Sequence, residues 1–282
     1  MQPAQPAYFD ADFEFSELEV DGCDFLSTLN VQVSSSTTNS LSSSASPPPG
    51  PAWTKFHSDH SSAKFFRPKR YLPQSFSAAI DHLCGLSASP VILEVGSGAG
   101  AALFPLLKSL PASTSAVAID IAPTAIDLLR SQPKFDASLI AAHVCDICVD
   151  DLPTPPNTID VAFLVFCLSA VPPSTFLSTL IKIRNVLKPD GMICFRDYGL
   201  YDMTMLRFKP FQHVVDFTFR RGDGTLSSFF ELEATKALFV EAGFDLVEAK
   251  YALVKNVNKK TGQCMRRCFT SVVAKVKPPQ NC

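Results

Sequence analysis

Val91-Ile-Leu-Glu-Val-Gly-Ser-Gly-Ala-Gly100 decides the fold of this chain. It is a short apolar run carrying an acid at Glu94, followed by glycines at alternate positions, Gly96, Gly98 and Gly100. The run reads as a buried parallel strand. The glycines read as a tight turn into a helix, where a ligand approaches bare backbone. The next apolar run is Ala116-Val-Ala-Ile-Asp120, and Asp120 closes it twenty residues after Gly100. A carboxylate at that spacing suits the paired hydroxyls of a ribose. The pattern points to a nucleoside-type cofactor.

Outward from this stretch, strands and helices alternate. Helical patterns are expected over 75–86 and 100–110, after Pro123, over 174–188 and over 233–242. Strands are expected at 91–96, 116–120, 138–145 (ending at Asp146), 161–166 and 191–196. Two apolar stretches, 245–257 and 267–276, read as a closing hairpin. This alternation predicts an α/β fold with a doubly wound, mostly parallel sheet. Residues 198–230 break the rhythm with dense Tyr, Phe and Arg and a Gly222-Asp-Gly224 turn. An insertion there sits above the carboxyl edge of the sheet, where such folds place substrate.

The N-terminal part differs in texture. Residues 1–54 hold seven acids and no Lys or Arg, which leaves 20 acids against 25 Lys and Arg in the remainder. Residues 1–30 mix acids with Phe and Leu, and 34–51 are Ser-, Thr- and Pro-rich. Such composition buries too little apolar surface to offset chain entropy. Residues 1–51 are therefore expected to be a disordered tail, with a docking peptide as the alternative for the acidic part, and 52–282 the folded domain. No apolar run reaches the ~18 residues of a membrane helix. No basic start followed by an apolar core marks a secretory signal. The nine cysteines are an odd number scattered through apolar segments, which fits free thiols and a cytoplasmic location, with the nucleus as a second site. Cys145-x-x-Cys148 and Cys264-x-x-x-Cys268 lack matching histidines, so no metal is expected.

The G-x-G-x-G spacing, the acid before it and the closing hairpin resemble the class I S-adenosylmethionine-dependent methyltransferases. That resemblance implies a seven-stranded Rossmann-like sheet and S-adenosylmethionine as cofactor. It implies that Asp120 takes the ribose hydroxyls, that Asp146 accepts from the adenine amino group, and that Val165 flanks the adenine. Taken alone, each has an ordinary alternative: Asp120 and Asp146 as turn or helix caps, Val165 as plain core.

Phe195-Arg-Asp-Tyr-Gly-Leu-Tyr-Asp202, followed by Met205-Leu-Arg-Phe208, is less generic. So are Trp53-Thr-Lys-Phe-His57, Lys64-Phe-Phe-Arg67, Leu168-Ser-Ala-Val171, Asp223-Gly-Thr225 with Phe229-Phe230, and Asn258-Lys-Lys-Thr-Gly262 with Arg267 and Phe269. Together they resemble the tRNA N3-methylcytidine methyltransferases of the methyltransferase-like family, from Trp53 to Val276. The resemblance implies methylation of cytidine 32 in the anticodon loop of particular tRNAs. It also implies seryl-tRNA synthetase or another tRNA-binding protein as partner, and no membrane. It puts Trp53, His57, Gly96, Gly98, Asp120, Asp146, Ile147 and Val165 around the cofactor. The chain departs from the family pattern at His57 (usually Tyr), Ser97 (usually Cys) and Ala101 (usually Asn). It also departs at Leu226 and Ser228, where an Arg and a Tyr are expected.

Methyl transfer to a ring nitrogen is dominated by positioning, and its product is cationic. Asp197 and Asp202 are the candidate carboxylates for that charge. Tyr198 and Tyr201 are candidates to hold the extruded base, and Arg196 to orient either carboxylate. The alternative for Arg196 and Asp197 is a satisfied pair at a strand end. The basic sets Lys64/Arg67/Lys69/Arg70, Arg207/Lys209/Arg220/Arg221 and Lys255/Lys259/Lys260/Arg266/Arg267 are candidates for phosphate contact, or simply a solvated surface. Two other functional classes stay open: a methyltransferase of the same fold acting on a small molecule or protein, and a cofactor-free adaptor.

Overall fold

The computed structural model describes residues 9–10, 13–29, 49–62, 65–257 and 264–278. The 34–48 linker, Lys64, and the 258–262 motif with Lys259 and Lys260 lie outside the described residues. In chain order the elements are β1 (Phe9–Asp10), α1 (Phe15–Thr28), α2 (Pro49–Asp59), α3 (Leu72–Ser75), α4 (Ser77–Cys84), β2 (Val91–Val95), α5 (Leu103–Leu107), β3 (Ser115–Asp120), α6 (Pro123–Arg130) and β4 (Ile140–Val144). There follow β5 (Ile159–Val165), α7 (Phe176–Val186), β6 (Leu187–Tyr198), β7 (His213–Val215), β8 (Thr218–Arg220), β9 (Leu226–Ser228), α8 (Leu232–Glu241), β10 (Phe244–Val257) and β11 (Cys264–Val276).

The central sheet runs β10-β11-β6-β5-β2-β3-β4, with β1 added at the edge beside β10. The pairs among β6, β5, β2, β3 and β4 are parallel, and β11 enters antiparallel between β6 and β10. This is the expected seven-stranded Rossmann-like sheet. Strand order reverses between β2 and β5, so a crevice opens at their carboxyl ends. β5 is buried at every residue, as a central parallel strand with both faces covered must be. One face packs Leu93, Leu164, Phe195 and Phe239 among others. The other packs Phe76, Ile92, Leu103 and Phe163.

Three local differences from the sequence reading have physical causes. The 174–188 helix ends at Val186, and β6 starts at once with a register shift opposite Ile159/Val161. Asp190 at φ +63 beside Gly191 supplies the irregular turn. The insertion folds as a small antiparallel sheet, β7-β8-β9. Finally, the acidic segment read as a tail carries a helix. Phe13, Leu18 and Leu26 are buried against the domain, so residues 13–29 form part of the folded unit. Helix α2 likewise begins at Pro49, within the proline run assigned to the linker. A proline is tolerated in the first helical turn, where its missing N–H is not needed.

Candidate active site

A cleft of about 1790 Å³ lies at the switch point. Pockets for single small ligands run to about 300–1,000 Å³, so this one has room for a cofactor and an acceptor group together. Its floor is the glycine loop between β2 and α5. Gly96 and Gly98 have φ +72 and +51, a region that side chains rarely adopt. A Cβ on Gly96 would also lie 2.6 Å from the Cys167 sulfur. On Gly98 it would meet only His57 Cε1, at 3.7 Å. The loop is therefore open above Gly98 and closed beneath Gly96.

Asp120 ends β3 and anchors that loop. Its Oδ2 accepts the Gly98 amide at 2.8 Å, and its Oδ1 accepts the Ala122 amide at 2.9 Å. Burial raises its pKa, and the two amides pull the other way. Each oxygen keeps a second lone pair, the geometry needed to receive ribose hydroxyls. Asp146 follows β4, and its Oδ1 takes the Cys148 amide at 2.9 Å in a local turn. Asp146, Ile147 and Val165 all line the cleft, with Ile147 and Val165 giving it an apolar wall. Helix α2 roofs this half. Trp53 and His57 line the cleft, their rings 6.2 Å apart, and Thr124 Oγ1 donates to the Thr54 carbonyl at 3.1 Å to hold the helix down. Burial lowers the His57 pKa, with the Asp120 charge opposing it.

The other half of the cleft is aromatic and cationic. Tyr198 at the end of β6 packs against Phe166 at 5.2 Å and Phe269 at 6.4 Å between ring centroids. The Arg267 guanidinium stands 5.0 Å from the Phe269 ring and 6.0 Å from Tyr198. The Lys69 ammonium stands 4.4 Å from Phe166, and Arg221, outside the cleft lining, backs Tyr198 at 5.6 Å. Such contacts fix cations over ring faces. Burial pushes the Lys69 pKa down to about 8, against the attraction of Glu94 and Asp197.

Residues 92–191 match the methyltransferase-domain family. The human tRNA N(3)-cytidine methyltransferase METTL6 is 36% identical over 231 residues, 81% of this chain and 80% of that protein. This chain belongs to the tRNA N(3)-cytidine methyltransferase family. The mouse tRNA N(3)-cytidine methyltransferase METTL2 is 40% identical over 167 residues, 58% of this chain and 43% of that protein. Among solved structures, a chain of the Haloferax volcanii complex between a methyltransferase and the Trm112 activator superposes with a TM-score of 0.58 at 14% identity, covering 80% of this chain and 97% of that one. The Burkholderia thailandensis 1,6-didemethyltoxoflavin-N1-methyltransferase, solved with S-adenosylhomocysteine, superposes with a TM-score of 0.51 at 16% identity, covering 88% and 98%. At such identities these two carry the fold alone.

Within this methyltransferase fold, Trp53, His57, Gly96, Gly98, Asp120, Asp146, Ile147, Val165 and Tyr198 share the one cleft. Arg196, Asp197 and Asp202 do not line it. Asp202 is fully buried and saturated. It accepts Arg267 Nε at 2.8 Å, Arg267 Nη2 at 3.2 Å, and the Thr204 and Cys268 amides at 2.9 Å each. It holds Arg267 rather than facing a substrate. Asp197 accepts the Ser169 amide and the Tyr198 amide, each at 2.9 Å, and so clasps the end of β6 to the turn after β5. Burial raises its pKa to about 6. Successive strand residues point to opposite faces, so Arg196 does not share a side with Asp197. Its guanidinium is sandwiched between Tyr71 and Phe269, 5.0 Å from each. Tyr201 stacks toward Phe15 of α1 and does not line the cleft.

Leu226 and Ser228, the departures from the family pattern, are buried in β9. Ser228 bonds Thr218 at 2.8 Å, and neither lines the cleft. Their neighbour Ser227 accepts from Arg221 at 3.1 Å, and Arg221 is the cation over Tyr198. Of the basic candidates, Arg266 is paired with Asp21 and Glu17 of α1 at 2.8 and 3.5 Å. Three site residues escaped the sequence reading as site groups. Phe166 has φ +55 and was only the end of an apolar run. Lys69 was one base among many. Glu94 was only the acid of the loop motif, yet its Oε2 is buried with no hydrogen-bond partner.

Proposed function

We propose that this protein transfers a methyl group from S-adenosylmethionine to N3 of cytidine in the anticodon loop of particular tRNAs, at position 32. The observation that carries this is the shared cleft: the Asp120-anchored glycine loop and the Tyr198–Phe166–Phe269 platform with its cations open into one space. The residues present fit that cofactor. Asp120 suits the ribose, Asp146 the adenine amino group, and Val165 and Ile147 the adenine faces. Glu94, whose buried Oε2 has no protein partner, suits an ammonium group such as that of a methionine tail. When bound, S-adenosylmethionine supplies an electrophilic methyl on a sulfonium.

N3 of cytidine has a lone pair at neutral pH, so no base is needed. The cofactor held by Asp120, Asp146 and Glu94 would supply the methyl to that lone pair, the electron pair of its former bond remaining on sulfur. Charge neutral on cytidine becomes positive on N3-methylcytidine. The rings of Phe166, Tyr198 and Phe269 offer an aromatic surface on which the extruded base can stack. Asp197 holds the Tyr198 backbone in place from behind. Lys69 and Arg267, which line the cleft, bring cations to the neighbouring phosphates. The described domain is small beside a tRNA, and seryl-tRNA synthetase or another tRNA-binding protein is the partner we propose. The test is methylation of a tRNA panel with labelled cofactor, with and without seryl-tRNA synthetase, followed by nucleoside mass spectrometry. N3-methylcytidine at position 32 is the expected product, and its absence from every isoacceptor overturns the reading. The free-thiol reading of the cysteines supports a cytoplasmic location with a nuclear pool, which fractionation of the tagged protein checks.

The pH dependence follows from two groups. Asp197 titrates at about 6. As pH falls through that value it gains a proton, loses acceptor strength toward the Ser169 and Tyr198 amides, and loosens the platform. Lys69 titrates at about 8, so rising pH removes a cation from the cleft. The profile of kcat/KM for tRNA is expected to be a bell between about 6 and about 8. Lys69→Arg should extend the alkaline side. A flat profile from ~5.5 to ~9 would remove both assignments.

A further inference from the structure

No residue of helix α1 lines the cleft. Its buried stripe is Leu18, Gly22 and Leu26, four residues apart, and it lies on the back of the substrate half. Leu18 packs with Cys268, and Leu26 with Leu200, Met205 and Phe219. Phe15 stacks on Tyr251 at 4.1 Å and approaches Tyr201 at 5.9 Å. The Tyr251 hydroxyl in turn accepts the Leu232 amide at 3.0 Å. Gly22 faces the Tyr201 ring so closely that a Cβ there would overlap it.

Tyr201 itself has φ +61. A bulky side chain keeps that conformation only where its surroundings over-determine it. The next residue is Asp202, which forks onto Arg267, and Arg267 lies over Phe269 and Tyr198. A continuous series of contacts thus runs from α1 through Tyr201 and Asp202 to the platform. Arg266, next to Arg267 on β11, fastens the same helix through Asp21 and Glu17.

We propose that α1 is a positioning element of the active site, in which Gly22 seats the Tyr201 ring and so sets the direction from which Asp202 holds Arg267 over Tyr198. Any side chain at position 22 displaces the ring. The ring carries the backbone of residue 201, and the displacement re-aims Asp202. The functional part of this proposal rests on the assignment of the Tyr198 platform to the acceptor base.

The test is Gly22→Ala in the full chain. Alanine favours a helix more than glycine does, so the helix itself does not oppose the change and only the contact with the Tyr201 ring does; if α1 had no positioning role, activity would stay put. The expected result is a fall of tenfold or more in kcat/KM for tRNA, with cofactor affinity within twofold of wild type. Adding Tyr201→Gly removes the ring and suits the positive φ, so the double variant is expected to be more active than Gly22→Ala alone. A Gly22→Ala enzyme within twofold of wild type overturns the proposal, as does a double variant no more active than the single. Hydrogen exchange supplies a readout independent of the acceptor. Amides of Thr204 and Cys268, both bound to Asp202, should exchange at least tenfold faster in Gly22→Ala, while those of the glycine loop do not change. Unchanged exchange there also overturns it. If wild type methylates no tRNA but the exchange result holds, the acceptor assignment fails and the positioning role stands. If Gly22→Ala does not fold, Phe15→Ala loosens Tyr201 from the same side and is read by the same measurements.

Discussion

Arg267→Ala is expected to destabilise the protein by roughly 3–5 kcal/mol, the cost of leaving a buried carboxylate without its cation. Asp202 is fully buried, whereas the Arg267 side chain is 20% exposed. The fork uses Nε and Nη2 at 2.8 and 3.2 Å, which a lysine cannot copy. The Thr204 and Cys268 amides remain on Asp202, so the loss should fall toward the lower end. Chemical denaturation of wild type, Arg267→Ala, Asp202→Asn and the double variant measures it. The double variant should lose less than the two single losses combined, because each single change already removes the whole Asp202–Arg267 interaction. A single-variant loss under ~1 kcal/mol would show that the pair is not buried as described. Methylation should fall beyond what stability explains, since Arg267 also covers the faces of Tyr198 and Phe269.

Asp120→Ala is expected to weaken S-adenosylmethionine binding by about 1–3 kcal/mol, roughly five- to 150-fold at 25 °C, as read by calorimetry. Two effects combine. The ribose loses a charge-assisted acceptor. The Gly98 and Ala122 amides lose the carboxylate that fixes them at 2.8 and 2.9 Å, so the glycine loop is no longer set for the ligand. Asp120→Asn separates the two, because it keeps one carbonyl acceptor in a side chain of the same shape. Its loss should be intermediate. Unaltered affinity in Asp120→Ala would place the ribose elsewhere in the cleft.

The glycine-loop half of the cleft was legible because doubly wound folds bring strand ends together. Gly96, Gly98, Asp120, Asp146 and Val165 each stand at or just past the carboxyl end of a strand, and period and spacing locate strand ends. The aromatic half was legible as a motif but not as geometry. Asp197, Tyr198 and Asp202 stand within six residues of one another, yet only Tyr198 lines the cleft. Strand alternation turns Arg196 and Asp197 to opposite sides, and the positive φ at Tyr201 redirects Asp202 into the protein. Neither the buried fork onto Arg267 nor the saturation of Asp202 is encoded locally, because three of its four hydrogen bonds come from 65 and 66 residues away. Phe166 was missed for the same reason: nothing in an apolar run says that its last residue turns to φ +55 and lines the cleft.

Helix α1 shows the limit most clearly. Its buried positions at 18, 22 and 26 keep a spacing of four, a helical signal hidden by the acids and by a glycine where a large apolar residue would be expected. Composition suggested a tail, but the stripe matches a surface that exists only after the hairpin and insertion have folded. The sequence by itself determined the doubly wound sheet, the glycine loop and the acids that close β3 and β4, because these depend on local period and spacing. The tertiary structure alone decided which charged groups face the cleft and which are buried as its supports, because side-chain direction and long-range pairing are settled only when distant strands pack.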